Sequence, residues 1–210
     1  MFPLGSVLMP GAVLPLHVFE PRYRALIRDC IESPEHEFGV VLIDRGSEVG
    51  GGDERRAVGV VARMVQVAEL DDGRFAVVAV GTRRIRVNSW LPDEPYPLAD
   101  VDDWIDENPD EFGLDDLVEE LRSRVRRAAA LASELGDPVV DPADEISSDP
   151  LLASYHLSAL APMGPVDAYR LLCAPGPRAR LALLGDVLDD VEAVLQFRLL
   201  TDGDPIDPLD

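Results

Sequence analysis

The first hundred residues are short apolar runs cut by turn residues. Phe2–Met9 and Ala12–Phe19 read as two extended segments parted by Pro10-Gly11, a turn dipeptide. Pro3 and Pro15 have no N–H to give a ladder, which assigns them to edges or bulges. From Arg22 to Ile31 the period changes. Tyr23, Leu26, Ile27 and Cys30 fall three and four apart, predicting a short amphipathic helix with Pro21 at its first position. Phe38–Ile43 is a continuous apolar run, expected as a buried strand, and Arg45–Arg56, containing Gly50-Gly51-Gly52, as a loop. Ala57–Leu70 and Arg74–Val80 are predicted strands joined at Asp71-Asp72-Gly73, where Asp and Gly supply the positive φ of a tight hairpin. Val58, Val60, Ala62, Met64 and Gln66 share one face of the first. Arg83–Trp90 alternates, with Ile85, Val87 and Ser89 opposite Arg84, Arg86 and Asn88. Tyr96–Trp104 is the last extended piece. Six or seven strands with one early helix point to a small barrel or closed sheet.

Beyond an acidic, turn-rich stretch at Asp106–Glu111 the pattern is helical. Leu114, Leu117, Leu121, Val125, Ala128, Ala132 and Leu135 keep 3–4 spacing, and Gly136 follows as a stop. Asp137–Ser148 reads as a loop. Asp149-Pro150 is an N-cap with Pro in the first turn, opening a helix to about Ala161. Gly164-Pro165 opens another, to Cys173. Past Pro175-Gly176-Pro177 comes a long helix with the stripe Leu181, Leu184, Leu188, Val191 and Leu195. Thr201–Asp210 is polar and Pro-interrupted, a frayed end. The division expected is a β-rich part over 1–105, a helical part over 106–200 and a tail over 201–210, an α+β chain with no internal repeat.

Composition narrows the chemistry. The chain has 210 residues, 47% hydrophobic and 28% charged, which is globular in balance. A chain of this length buries roughly 70% of its unfolded surface and needs no disulfide or metal staple. Forty acids stand against 19 basic residues, for a net charge of −21. All the basic residues are arginine, a bias in keeping with a GC-rich genome. Without lysine there is no Schiff base, no Walker-A phosphate contact and no Ser–Lys dyad in these residues. The acidity disfavours nucleic acid and anionic membranes as partners. Residues 1–105 hold 11 Arg and 17 acids, net −6; residues 106–210 hold 8 and 23, net −15. Met1-Phe2-Pro3-Leu4 is no secretory signal and no run reaches 18 apolar residues, so a cytoplasmic protein is expected. Cys30 and Cys173 form no framework; one disulfide between them stays open, with free buried thiols the preferred reading.

No reactive constellation stands out. The Asp100–Glu111 run has the charge of a calcium loop but Trp104 and Ile105 where a ligand and the turn glycine belong. Asp202, Asp204 and Asp207 lack a closing glutamate. His17, His36 and His156 are far apart, and there is no CxxC or HExxH. No metal or cofactor is expected. His17 beside Phe19 reads as a packed or backbone-bonded residue before a catalytic one. Ser154 and His156 are no nucleophile–base pair by spacing, and no GxSxG elbow occurs. Arg83, Arg84 and Arg86 are the one dense basic spot among the strands. They are weighed as a nucleic-acid patch, but an outward face pairing with the chain's own acids is preferred.

The segment Met9-Pro10-Gly11-Ala12-Val13-Leu14-Pro15-Leu16-His17-Val18-Phe19-Glu20-Pro21-Arg22-Tyr23-Arg24 resembles the substrate-recognition domain at the N-terminus of the ATP-dependent protease Lon, and more closely the stand-alone bacterial proteins of that family. Phe38-Gly39-Val40, Gly59-Val60-Val61-Ala62-Arg63-Met64, Gly81 before Arg84-Ile85-Arg86-Val87, Leu171-Leu172, and Arg180-Leu181-Ala182-Leu183-Leu184 agree, so the resemblance covers roughly 2–198. Family members often carry residues ahead of the Phe2-Pro3-Leu4 segment, which leaves room for a start upstream.

The resemblance implies a PUA-like β-barrel or pseudo-barrel subdomain followed by a C-terminal helical bundle. It implies a non-catalytic role, because Lon's ATPase and Ser–Lys peptidase follow this region and a lysine-free chain supplies neither. The expected partners are unfolded or degron-bearing polypeptides, with a protease or chaperone that the chain would serve as an adaptor in protein quality control. They would be met on apolar surface at the subdomain boundary. Pro15, His17, Phe19, Glu20, Arg22 and Tyr23 carry the motif and read as fold determinants. Phe19 and Tyr23 would pack the early helix on the barrel, and Glu20 and Arg22 would hold the strand–helix corner. Two alternatives stay open: a PUA-like RNA binder using the Arg83–Arg86 spot, and a small-molecule enzyme with a pocket around His17.

Overall fold

The structure is a computed structural model that describes residues 1–46, 52, 54–138 and 146–202. The centre of the predicted 45–56 loop, most of the 137–148 loop, and Asp204 and Asp207 lie outside the described residues. The chain divides into two compact units, Met1–Glu107 and Asn108–Asp210.

The first unit holds β1 (Phe2–Leu4), β2 (Val13–Val18), α1 (Pro21–Glu32), β3 (Glu37–Arg45), β4 (Glu54–Glu69), β5 (Phe75–Leu91) and β6 (Leu98–Asp103). They form one six-stranded mixed sheet in the order β1-β3-β4-β5-β2, with β6 also on β5. β1 lies parallel to β3, and the other pairs are antiparallel. Of the expected PUA-like barrel or pseudo-barrel, the closed form is not found among the described residues. β1 and β2 end the pairing path without pairing to each other, so among the described residues the sheet is open.

Two further expectations are corrected by bulges. Arg74–Val80 and Arg83–Trp90 are not separate strands but the two halves of β5. The register passes from Ala62↔Gly81 to Val61↔Arg83, so Thr82 is an extra residue that bends the strand. The first half of β5 pairs with β2 and the second with β6. Gly81 permits the bend, since a Cβ there would lie 2.4 Å from the Met9 carbonyl oxygen. In β4 a second slip, from Met64↔Ala79 to Gln66↔Val78, leaves Val65 over and turns Gln66 outward, away from the face predicted for it. Residues 58–62 of β4 are buried without interruption. α1 closes this core with Tyr23, Leu26, Ile27 and Cys30, the predicted stripe.

The second unit holds α2 (Asp115–Glu134), α3 (Pro150–Leu160), α4 (Pro165–Leu172) and α5 (Pro177–Asp202). Asp115 and Asp116 complement the positive end of α2. Val118, rather than the predicted Leu117, joins Leu121 and Val125 in the core. Gly136, at φ 79°, ends the helix. The Asp149 carboxylate accepts from the Leu152 N–H at 3.0 Å, capping α3 as its sequence predicts. α2 packs on α3 and α5, and α5 on α3 and α4, burying Leu181, Leu184, Leu188 and Leu195.

Inside this unit Arg180 is 0% exposed. Its guanidinium donates to the Leu171 and Ala174 carbonyls at 3.1 and 3.3 Å, to Ser154 Oγ at 2.9 Å and to the Tyr155 hydroxyl at 3.0 Å. It also lies 3.7 Å from the centroid of the Tyr155 ring. One cation thereby ties α3, the end of α4 and α5 together.

Candidate functional site

β2 is a border of the sheet, and its burial alternates. Leu14 and Leu16 are half-buried and Val18 is buried, while Val13, Pro15 and His17 are exposed. A strand lying half over a core does this, because successive side chains point to opposite faces. Phe19 continues the outward series and is 53% exposed. The packing expected for His17 and Phe19 is therefore corrected: both stand on the surface. Tyr23 is the motif aromatic that packs, 3% exposed and stacked 4.2 Å from the Phe2 ring. Glu20 accepts from Arg22 Nε at 3.1 Å, and the Arg22 guanidinium lies 4.4 Å from the Tyr23 centroid. These contacts span the turn from β2 into α1.

Two open pockets flank β2. One, of about 180 Å³, is bordered by Phe2 and Leu4 of β1, Leu16, His17 and Val18 of β2, and Phe19, Glu20 and Tyr23. It lies between β1 and β2, the two ends of the pairing path. The other, of about 440 Å³, has a floor of Gln66, Ala68, Ala76 and Val78 beside Pro15 and His17. Pro15, Leu16 and His17 line both. The linings are chiefly apolar, with His17, Glu20 and Gln66 as the polar groups.

The structure does not gather Arg83, Arg84 and Arg86 into one free cationic stripe. Arg83 donates to Glu37 at 2.7 Å and to Asp103 at 2.9 Å. Arg84 is 2% exposed, pairs with Asp106 at 3.1 Å and lies 4.3 Å from the Trp104 centroid. Arg86 lies 4.3 Å from the same ring. Glu37 also takes Arg63 at 2.7 Å. Burial would push the Glu37 carboxyl up, but its bonds and charge contacts with Arg83 and Arg63 outweigh that and hold it below the usual range.

Other groups singled out in the sequence take structural places. Cys30 and Cys173 are not joined in a disulfide; Cys30 is buried, and burial chiefly pushes its thiol up to about 11. Ser154 is held by Arg180 and by the Leu151 carbonyl. Asp103, Asp106 and Glu111 of the acidic run are each engaged by an arginine: Arg83, Arg84 and Arg178. Among the described residues no group of three or more His, Cys, Asp or Glu is placed to hold a metal ion. No helix among them is long and apolar enough to cross a membrane.

Residues 1–190 match the family described as the ATP-dependent protease La (LON) substrate-binding domain. The chain belongs to that family. A Lon protease from Anaeromyxobacter dehalogenans is 26% identical over 195 residues, 92% of this chain and 23% of the relative. Lon protease 2 from Myxococcus xanthus is 30% identical over 147 residues, 66% of this chain and 18% of the relative. The chain thus spans less than a quarter of these Lon proteases. The crystal structure of a Lon N-terminal domain protein from Xanthomonas campestris superposes with TM-score 0.64 at 28% identity, covering 87% of this chain and 94% of that one. The N-terminal domain of the Mycobacterium avium complex Lon protease gives 0.60 at 20% identity, covering 90% and 97%, and speaks to the fold alone. The fold is thus that of a Lon N-terminal domain, α+β with a mixed sheet and five helices. In this Lon-type domain, the motif strand that carried the resemblance is also the strand that borders both pockets.

Proposed function

We propose that this Lon-type substrate-binding domain recognises unfolded or degron-bearing polypeptide through the β2 border, acting as a recognition module or adaptor for a protease or chaperone. The observation that carries this reading is the outward series Val13, Pro15 and Phe19 beside two apolar-lined pockets. Apolar residues held outward by a rigid sheet suit client segments whose own apolar side chains are uncovered.

The RNA-binding alternative rests on Arg83, Arg84 and Arg86. Their engagement by Glu37, Asp103, Asp106 and Trp104 favours the polypeptide reading. The small-molecule alternative needs an enclosed pocket with a perturbed titratable group at His17, whereas both pockets there are open to solvent.

The test compares binding of a reduced, carboxymethylated protein with binding of its native form by isothermal calorimetry. Saturable binding of the unfolded form alone is expected. Phe19→Asp and Val13→Asp, both at exposed positions, should weaken it at least tenfold with unchanged thermal stability. Equal binding of native and unfolded forms, or none, would overturn the reading.

A further inference from the structure

The hydrogen-bond parity of β2 defines what can dock on it. The Gly81 N–H donates to the Ala12 carbonyl at 3.0 Å, so Ala12 faces β5. The register Leu14↔Ala79, Leu16↔Val77 and Val18↔Phe75 continues that parity. In an antiparallel pair alternate residues direct both backbone groups at the partner and those between direct both away. The N–H and C=O of Val13, the C=O of Pro15 and the N–H and C=O of His17 therefore point off the sheet. β2 pairs with β5 alone among the described residues. Pro15 supplies no donor, so this row is two donors and three acceptors.

Such a row is complementary to extended backbone and to little else. We propose that the client segment binds as an added β-strand along the free border of β2, placing side chains in the Phe2/Leu4/Tyr23 pocket, and that it is an extended stretch alternating apolar and basic residues. This rests on the polypeptide reading above and specifies its geometry. The basic preference follows from charge. The whole chain carries −21 and the sheet half −6, and the carboxylate at the pocket, Glu20, meets Arg22 through Oε2. The alternation follows from the pocket, which lies to one side of the added strand and takes every second side chain.

The probe is a fluorescein-labelled eight-residue peptide of alternating valine and arginine, titrated against the full chain by anisotropy. Two further versions carry N-methyl groups on the alternate amides of one edge or of the other. Strand addition uses one edge, so one methylated version should bind at least tenfold more weakly while the other keeps its affinity. Amide exchange followed by NMR should show the Val13 and His17 N–H groups slowed on binding. His17→Pro removes an outward donor without touching the β5 ladder, and should weaken the unmethylated peptide several-fold at unchanged melting temperature.

A valine–glutamate peptide binding as well as the valine–arginine one would overturn the basic preference. Equal affinity of the two methylated versions, or unslowed Val13 and His17 amides in a saturated complex, would overturn strand addition. If carboxymethylated protein still binds in that case, the polypeptide reading survives without this geometry. If neither it nor the peptide binds, both fall.

Discussion

Arg180 and Glu37 show opposite uses of charge. Arg180 is wholly inside the helical unit and its hydrogens are spent on two carbonyls and two hydroxyls. The Leu171 carbonyl also accepts from the Ala174 N–H at 3.1 Å. Removing Arg180 would nonetheless take a donor from the buried Ser154 and Tyr155 hydroxyls and the Ala174 carbonyl, and a buried acceptor left unpaired costs about 1–3 kcal/mol. Arg180→Ala should therefore destabilise the chain by about 3 kcal/mol or more, read from urea denaturation followed by helical circular dichroism. Arg180→Lys should recover only part, because an ammonium cannot span the same fork. Glu37 instead lies at the sheet surface between Arg63 and Arg83. Its carboxyl is held below the ordinary value of 4.5, so it binds its proton less readily folded than unfolded. The stability it contributes is present above the unfolded value and is lost as the pH falls through the folded one. Glu37→Gln should lower the melting temperature at pH 7, and the gap from the parent should close as the pH falls from about 4.5 through the folded value. Melting curves across that range check it. Neither role shows in the local sequence. Arg180 stands before Leu181 like any basic residue on a helix, and Glu37 gains its two arginines only when β3, β4 and β5 come together.

Among the elements, β5 has the most consequence. Periodicity placed strands on both sides of Gly81 correctly but could not join them, because a bulge appears in a sequence as one residue out of phase. Joined, they form a bent strand that serves β2 at one end and β6 at the other. Gly81→Ala would drive a methyl into the Met9 carbonyl at 2.4 Å, a backbone atom that cannot swing aside. The expected cost is roughly 2 kcal/mol. The damage should concentrate at the bonds from the Gly11 N–H to the Gly81 carbonyl and from the Gly81 N–H to the Ala12 carbonyl, seen as faster amide exchange of Gly11 and Gly81. β2 itself was legible as a strand, and Pro15 marked it as a border strand. Which side chains faced out was not legible. Leu14, Pro15, Leu16 and Val18 are all apolar, so alternation had no contrast to read there. Helix ends were legible because their chemistry is local: Pro21 opens α1, Asp149 caps α3 and Gly136 closes α2.

For the molecule as a whole, the net charge bears on the client recognition proposed above. A chain at −21 attracts cationic segments, and salt screens that attraction over about 8 Å at physiological strength. Binding of the valine–arginine peptide should weaken several-fold between 50 and 500 mM salt, chiefly in the association rate, as stopped-flow fluorescence would show. The family, the α+β content and the helical stripes were in the order of residues, since each depends on neighbours within a few positions or on one specific motif. The motif run from Met9 to Arg24 pointed to the Lon family without coordinates. Two readings failed for one reason. A closed barrel was expected from the strand count, yet closure depends on whether β1 meets β2, contacts separated by the whole sheet in pairing order. Phe19 was expected to pack the early helix on the sheet, and His17 to be packed or backbone-bonded, yet the exposure of their side chains depends on the side of β2 that β5 occupies. Local periodicity determines what an element is. Which of its edges and faces stay uncovered is settled by long-range pairing, and in this domain the uncovered border of β2 is where the candidate site lies.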